Sequence, residues 1–348
     1  MVPLPQVYGS AEANDLTWIQ GKTLLVTGGT DGLGFAGIKA LCKSAFKPAR
    51  IILFARNPRK ADSVKKHVAS RGVELNVVLA DCQKPKELIA GCREVEKITD
   101  VLHCIWNNAG IWNMTSKKVE EQEDELEVHF AVNYIAMVLI VTELQELLAK
   151  SAPARVVVTG SFTSYEIMKG KVDFDNLQCE NGKHSRGVPQ AKTYAHSKLM
   201  QHVWCKHYAA LLPEGVTINV ADPGIVASNI CIWGWIKMLT CYVFYVFLPC
   251  FWQSRQPWEG CRPLLHLIGS QAMNGITGQY LDWGKGRFCC MRRRKPVPME
   301  FYPSQGLFEM PAAPTTSDVG KCGELYDATE KILEPLREKY NSRLHSPC

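Results

Sequence analysis

A short apolar strand, a glycine turn and an apolar-periodic segment follow one another near the start of the chain. This order constrains the fold more than any other feature. Lys22-Thr-Leu-Leu-Val-Thr27 is apolar and partly β-branched, the pattern of a buried strand. Gly28-Gly-Thr30-Asp31-Gly32-Leu33-Gly34 follows, and Phe35 to Phe46 then carries the periodicity of a helix. Glycines at 28, 32 and 34 let the backbone turn sharply and approach a diphosphate. The amide donors and dipole of a helix N-terminus favour such an anion. Taken alone, the glycines fit an ordinary βα loop equally well, because such motifs recur by chance. The rest of the chain has to decide.

Strand-like and helix-like segments continue to alternate. Arg50–Ala55, Glu74–Ala80, Val101–Trp106, Arg155–Ser161, Val216–Val220 and Thr277–Leu281 read as further strands. Helices are expected from about Glu125 to Lys150, from Gln190 to Leu211, and near Glu324 to Tyr340. Alternation of this kind implies a mostly parallel sheet covered on both faces. The expectation is an α/β chain: a single doubly wound Rossmann-type domain with a seven-stranded parallel sheet. A chain of 348 residues with 46% apolar and 21% charged content has ample material for such a core. Residues 1–20 read as an N-terminal extension, 21–284 as the domain, and 285–348 as a basic segment with a helical tail. Met1 to Gln20 lacks a charged stretch leading into an apolar run, so no signal peptide is expected. Fourteen cysteines without a Cys-x-x-Cys read as reduced thiols, with no metal site.

Chemistry enters with Tyr194 and Lys198. Four residues apart on a helix, they share a face. A phenol titrates near pH 10, too high for easy proton exchange at neutrality, and a nearby ammonium favours its ionised form. Tyr194 therefore qualifies as a general acid–base, with the Ser161 hydroxyl delivered from a strand end to the same reacting oxygen. The glycine turn, Asp81, Asn107 to Gly110, Ser161 and Pro223-Gly224 all fall at the carboxyl ends of expected strands, where such sheets bind ligands.

At this point the chain resembles the short-chain dehydrogenase/reductase family. Thr27-Gly28-x-x-x-Gly32-x-Gly34 is similar to its cofactor fingerprint, and Asn107-Asn108-Ala109-Gly110 to its signature after the fourth strand. Asn133, Ser161, Tyr194 and Lys198 are similar to its catalytic tetrad, and Pro223-Gly224-Ile-Val226-Ala-Ser228 to its Pro-Gly-x-Val-x-Thr element. Within the family, Gly170 to Gln178 and Ala195-His-Ser-Lys198-Leu resemble the retinol-dehydrogenase-like, lipid-alcohol members. The likeness spans roughly residues 21–282. It implies cofactor contacts from Gly28, Thr30, Asp31, Gly32, Leu33, Gly34, Asp81, Asn108, Ala109, Gly110, Tyr194, Lys198, Pro223, Gly224, Val226 and Ser228. It also implies that Asn133 positions a water linking Lys198 to solvent, and that Lys198 holds the nicotinamide ribose. Two departures stand out: 33 residues separate Ser161 from Tyr194, with Cys179 to Val188 as a polar loop, and Asp222 precedes Pro223. His196 and His202 read as surface or packing residues.

Charge argues for the cofactor. Strand two exits as Phe54-Ala-Arg56-Asn57-Pro-Arg59-Lys60, with no carboxylate to meet the ribose hydroxyls of NAD. Arg56 suits the 2′-phosphate of NADP instead, because guanidinium pairs bidentately with phosphate. NADP(H) is expected to be preferred, and NAD(H) stays open.

The segment Ile230 to Trp252 has one charge, Lys237, in 23 residues and is rich in aromatics. By the family resemblance it forms the substrate lid, so an apolar substrate is expected: a retinoid, steroid or isoprenoid-like alcohol and its aldehyde or ketone. A buried helix pair over the pocket is the plainer reading, and interleaved Trp and Tyr also suit a membrane interface. Lys285 to Lys295 carries six positive charges and no negative one, equal to the net +6 of the whole chain. Such a run fits anionic headgroups or a plain solvated loop. The expected partners are an apolar small molecule and a peripheral membrane contact through 230–252 and 285–295, without nucleic acid. A homodimer is left open. The expected location is the cytoplasmic side of a membrane such as the endoplasmic reticulum or a lipid droplet. The rival function is a catalytically silent, cofactor-binding membrane scaffold or redox sensor on the same fold.

Overall fold

The structure, a computed structural model, describes residues 15–112, 124, 126–179, 191–224, 226, 230, 256–282, 308–309 and 314–340. Among the described residues, eight strands form one sheet: β1 Thr23–Thr27, β2 Arg50–Ala55, β3 Glu74–Leu79, β4 Cys104–Asn107, β5 Ala154–Thr159, β6 Val216–Asp222, β7 Tyr280–Asp282 and β8 Phe308–Glu309. Their order is β3-β2-β1-β4-β5-β6-β7-β8. The first seven run parallel, as expected, and the short β8 adds an antiparallel edge that sequence patterning did not indicate.

Side chains alternate across this sheet and build a core on each face. Leu25, Ile52, Ile105, Val156, Val158 and Val220 enter one buried cluster. Leu24, Val26, Ile51, Trp106, Val157 and Ala221 enter the other. The second face is covered by α1 (Gly32–Lys43) and α2 (Pro58–Ala69). The first is covered by α3 (Pro85–Ile98), α4 (Ala136–Glu143), α5 (Gln145–Lys150) and α7 (Ala191–Tyr208), while α6 (Thr163–Glu166) follows β5. Between β1 and β4 the strand order reverses, which opens the crevice where doubly wound sheets take ligands.

Local departures from the expected elements have physical causes. Helix α1 starts at Gly32 because the Asp31 carboxylate accepts the Gly32 N–H at 2.7 Å, so two of the three fingerprint glycines lie in its first turn. The long helix expected over 125–150 is broken: Phe130–Ile135 is π-helical, and Leu144 separates α4 from α5. Strand β7 begins at Tyr280 rather than Thr277, because Gly278 adopts φ +71° while residues 277–279 still hydrogen-bond to β6.

Both flanks of the domain pack onto it. Leu16, Trp18 and Ile19 are buried in the same core as α1 and α2, with Leu16 against Gly269. After α8 (Pro257–Gly260) and α9 (Arg262–Gly269), α10 (Val319–Lys339) places Cys322, Leu325, Leu333 and Leu336 in the opposite core. Thr329 of α10 bonds the Tyr134 hydroxyl at 2.6 Å, beside Asn133. No described helix is long and apolar enough to cross a membrane. The eight described cysteines are free thiols. Ser228, the polar loop after Cys179, residues 231–252 of the expected lid and the basic run 285–295 lie outside the described residues.

Candidate active site

The glycine turn is shaped by contacts that leave no room for a side chain. A Cβ on Gly28, whose φ is +65°, would lie 2.7 Å from the Ala109 Cα. One on Gly34 would lie 2.5 Å from the Gly28 carbonyl oxygen and 2.6 Å from Asn108 Nδ2. The amide of Asn108 stitches the end of β4 to this turn, donating to the Thr27 carbonyl at 3.2 Å and the Gly28 carbonyl at 3.1 Å. In return the Thr27 hydroxyl accepts the N–H groups of Asn108 and Ala109. Backbone thus approaches backbone where a diphosphate would need close access.

Lys198 lies deep in the fold. Its Nζ donates to the Thr159 carbonyl at the end of β5, at 2.8 Å. A Cβ on Gly110 would meet both Lys198 Nζ and Asn133 Oδ1 at 3.4 Å, so these two groups close around the end of the β4 loop. Burial pushes the lysine down to about 7, and the negative charge of Asp222 opposes that fall. Tyr194, one turn earlier on α7, is also buried. The indole of Trp112 stacks on its ring, with centroids 4.9 Å apart and planes 4° from parallel.

The π-helical turn gives Asn133 its role in this geometry. Its Oδ1 accepts the Ile111 N–H at 2.8 Å, and its Nδ2 donates to the Ile111 carbonyl at 3.1 Å and the Ser197 hydroxyl at 2.9 Å. Its own carbonyl accepts from Gln201 Nε2 of α7. The side-chain amide therefore clamps the residue just before Trp112, and so sets the indole against Tyr194. Ser161, at the end of β5, pairs its hydroxyl with that of Thr163 at 2.9 Å.

Other expected residues fall into place unevenly. Thr30 and Leu33 sit half-buried in the turn, and Leu33 and Val226 both abut Gly260. Gly224 donates its N–H to Asp222 Oδ1 at 2.8 Å, which fixes the bend after Pro223. Asp31 spends its carboxylate on the α1 cap and on an exposed ion pair with Lys60 at 3.2 Å. Arg56 is exposed at the exit of β2. Asp81 accepts the Gln83 N–H within its own turn. His196 and His202 are buried, not on the surface: His196 Nε2 accepts the Asp173 N–H at 3.0 Å, and His202 contacts the Tyr165 hydroxyl at 3.1 Å. Trp112, Thr159, Thr163 and Gln201 were not singled out from sequence. Of these only Trp112, an aromatic two residues past the Asn-Asn-Ala-Gly run, carries a local signal.

A cavity of about 720 Å³, bordered by Trp18, Lys22, Pro153 and Gly215, opens at the amino ends of the strands. The chemistry-bearing groups gather at the opposite, carboxyl ends. Strand-end geometry, rather than cavity size, marks the site.

Residues 22–172 match the short chain dehydrogenase family. Human retinol dehydrogenase 14 is 30% identical over 294 residues, which span 79% of this chain and 82% of that protein. The chain is a short-chain dehydrogenase/reductase. Human retinol dehydrogenase 12 is 28% identical over 282 residues, again 79% of this chain and 82% of that one. Among solved structures, a short chain dehydrogenase from Burkholderia cenocepacia in complex with NADP superposes with a TM-score of 0.56. It is 21% identical and covers 76% of this chain and 96% of its own. A 3-oxoacyl (acyl-carrier-protein) reductase from Agrobacterium tumefaciens with NADP bound gives 0.59 at 20% identity, covering 77% and 94%. As a short-chain dehydrogenase/reductase, the protein is an oxidoreductase acting on CH–OH donors, with a fold that binds NAD(P).

Proposed function

We propose that this dehydrogenase uses NADP(H) to interconvert an apolar alcohol, of retinoid, steroid or isoprenoid type, with its aldehyde or ketone. The observation that carries the catalytic half is the buried Lys198 ammonium, held under Gly110 by Thr159 one helical turn from Tyr194. Tyr194 would protonate the carbonyl oxygen in reduction and take the alcohol proton in oxidation. Ser161 would hydrogen-bond the same oxygen, while Lys198 favours loss of the phenol proton. Asn133 would hold Ile111, and through it the Trp112–Tyr194 stack, in register.

The residues fit a dinucleotide. A Cβ at Gly28 or Gly34 would strike the packed loops after β1 and β4, and a turn of bare backbone at a helix N-terminus is what would let amide groups reach a diphosphate. Arg56 would pair with a 2′-phosphate. The dinucleotide, when bound, supplies or accepts the hydride at the substrate carbon. The apolar substrate is supported by the retinol dehydrogenase relatives and by the aromatic composition of 230–252. That segment and the basic run 285–295 would rest on a membrane surface. Co-flotation with anionic liposomes tests this, and protein that stays at the bottom of the gradient rules it out.

The central experiment is Tyr194→Phe, assayed with NADPH against retinal, a steroid ketone and a polyprenyl aldehyde. Turnover should fall by at least ~100-fold, the usual scale of positioned acid–base catalysis, with NADPH affinity within about twofold of wild type. Undiminished turnover would refute the assignment of Tyr194. Wild-type protein inactive on all three compounds would refute the substrate class.

A further inference from the structure

We infer that Asp222 is a positioning residue, the buried counter-charge that keeps Lys198 protonated and so sets the pH range over which Tyr194 can exchange its proton. The inference rests on the reading of Tyr194 and Lys198 as the acid–base pair, and adds to it a group that the tetrad does not contain.

The geometry begins with the sheet. Lys198 Nζ is anchored on the Thr159 carbonyl of β5. Thr159 lies in parallel register with Ala221 of β6, and the Gly160 N–H donates to the Ala221 carbonyl at 2.8 Å. Asp222 is the next residue, so it ends β6 beside the carbonyl that holds the ammonium. Its face follows from alternation: Val220 points into the cluster shared with α7 and Ala221 into the opposite one. Two residues on from Val220, Asp222 projects towards α7, the helix of Lys198. It is 1% exposed and Lys198 is 2% exposed.

A buried ammonium is costly unless a counter-charge is near. Among the described side chains, the other titratable groups around Lys198 supply none. On its own helix stand Tyr194 and His202, and burial drives His202 down to about 3, so it is neutral. Beyond His202 lie Tyr165 after β5 and Tyr280 of β7. The β4 loop contributes Asn107, Asn108 and Gly110, and the π turn contributes Asn133, none of which ionises. Asp222 is the carboxylate whose charge opposes the desolvation of Lys198. The Gly224 N–H, donated to Oδ1 at 2.8 Å, fixes that carboxylate in place.

Removing the Asp222 charge lowers the proton affinity of Lys198 further, so the ammonium is lost at lower pH. In the reductive direction, the alkaline fall of kcat/KM should then move acid-ward. Asp222→Asn keeps an oxygen for the Gly224 N–H and removes only the charge. With retinal and NADPH, the alkaline limb should shift down by about one pH unit or more, giving roughly tenfold lower kcat/KM at pH 8 and near wild-type values at pH 6. Asp222→Glu, which restores the charge, should return most of the shift.

The same proton can be read without substrate. Lys198 holds its proton to about pH 7 folded and to about 10.4 unfolded, so this group makes stability rise as pH climbs above 7. In D222N the rise in urea midpoint should begin about one unit lower. If D222N fails to fold, Asp222→Ser also removes the charge while keeping an oxygen acceptor, and the same shift is expected. Coincident pH profiles for wild type and the neutral variant overturn the role of Asp222, as does a uniform loss of activity at every pH without a displaced limb. Wild type inactive on retinal would count against the substrate reading alone, because the urea series still reports on Lys198.

Discussion

Gly34→Ala adds one carbon where the fold has no space for it. The new Cβ would sit 2.5 Å from the Gly28 carbonyl oxygen, 2.6 Å from Asn108 Nδ2 and 2.9 Å from the Gly29 Cα. Comfortable contacts lie near 3.5 Å or beyond. Two of the three atoms are backbone, so no flexible chain can swing aside. Displacing the Asn108 amide loosens its bonds to the Thr27 and Gly28 carbonyls, at about 1 kcal/mol each. Overpacking adds about 1–3 kcal/mol, and the better helix propensity of alanine returns about 1 kcal/mol. The net loss is about 2–4 kcal/mol, divided between stability and cofactor affinity. Gly323→Ala is the control. It lies within α10, where the nearest foreign atom would be 3.5 Å away on His207. That variant should be neutral or stabilised by up to about 1 kcal/mol. Urea unfolding and NADPH titration by tryptophan quenching measure the two parts for both variants. If G34A unfolds at the wild-type midpoint and binds NADPH within about threefold, the close-approach account of the turn is wrong.

Two further outcomes are expected. Arg56→Ala should raise the KM for NADPH by about 10–100-fold, the range of a lost charge-assisted bond, and leave that for NADH within about twofold. Wild type using NADH as well as NADPH removes the basis for this. Acid should destabilise the fold through its histidines. Burial pushes His196 and His266 down to about 4 and His202 to about 3, while in the unfolded chain each titrates near 6.5. As pH falls from 6.5 towards 4 the unfolded state binds protons that the folded state refuses, so stability drops by about 1.4 kcal/mol per unit for each histidine. Three together give a slope of about 4 kcal/mol per unit, visible as a falling urea midpoint. A midpoint constant between pH 6 and 4.5 contradicts the burial of these rings.

What the sequence made legible was local chemistry, and what it hid was contact across long separations. Strand β2 falls on Arg50–Ala55, as its continuous apolar run indicates, and parallel strands buried on both faces leave such runs. The glycine spacing pointed to the turn because glycine alone tolerates that approach. The break at Phe130–Ile135 left no such trace. The Asn133 carbonyl is taken by Gln201, from a helix 68 residues away, and nothing near Asn133 announces that partner. Docking of α10 was half visible: Cys322, Leu325, Thr329, Leu333 and Leu336 recur at helical spacing, which predicts an apolar face but not the Tyr134 hydroxyl it meets. The site divides in the same way. Tyr194, Lys198 and Ser161 are recognisable as reactive groups in the chain itself. The field they work in comes from residues that only the fold assembles: Trp112 laid on the phenol by the grip of Asn133 on Ile111, and Asp222 carried beside the ammonium by the register of β5 and β6. An aspartate before Pro-Gly looks like a turn residue in one dimension. The alternation of side chains along β6 turns it towards α7, where its charge would bear on the lysine proposed to work with Tyr194.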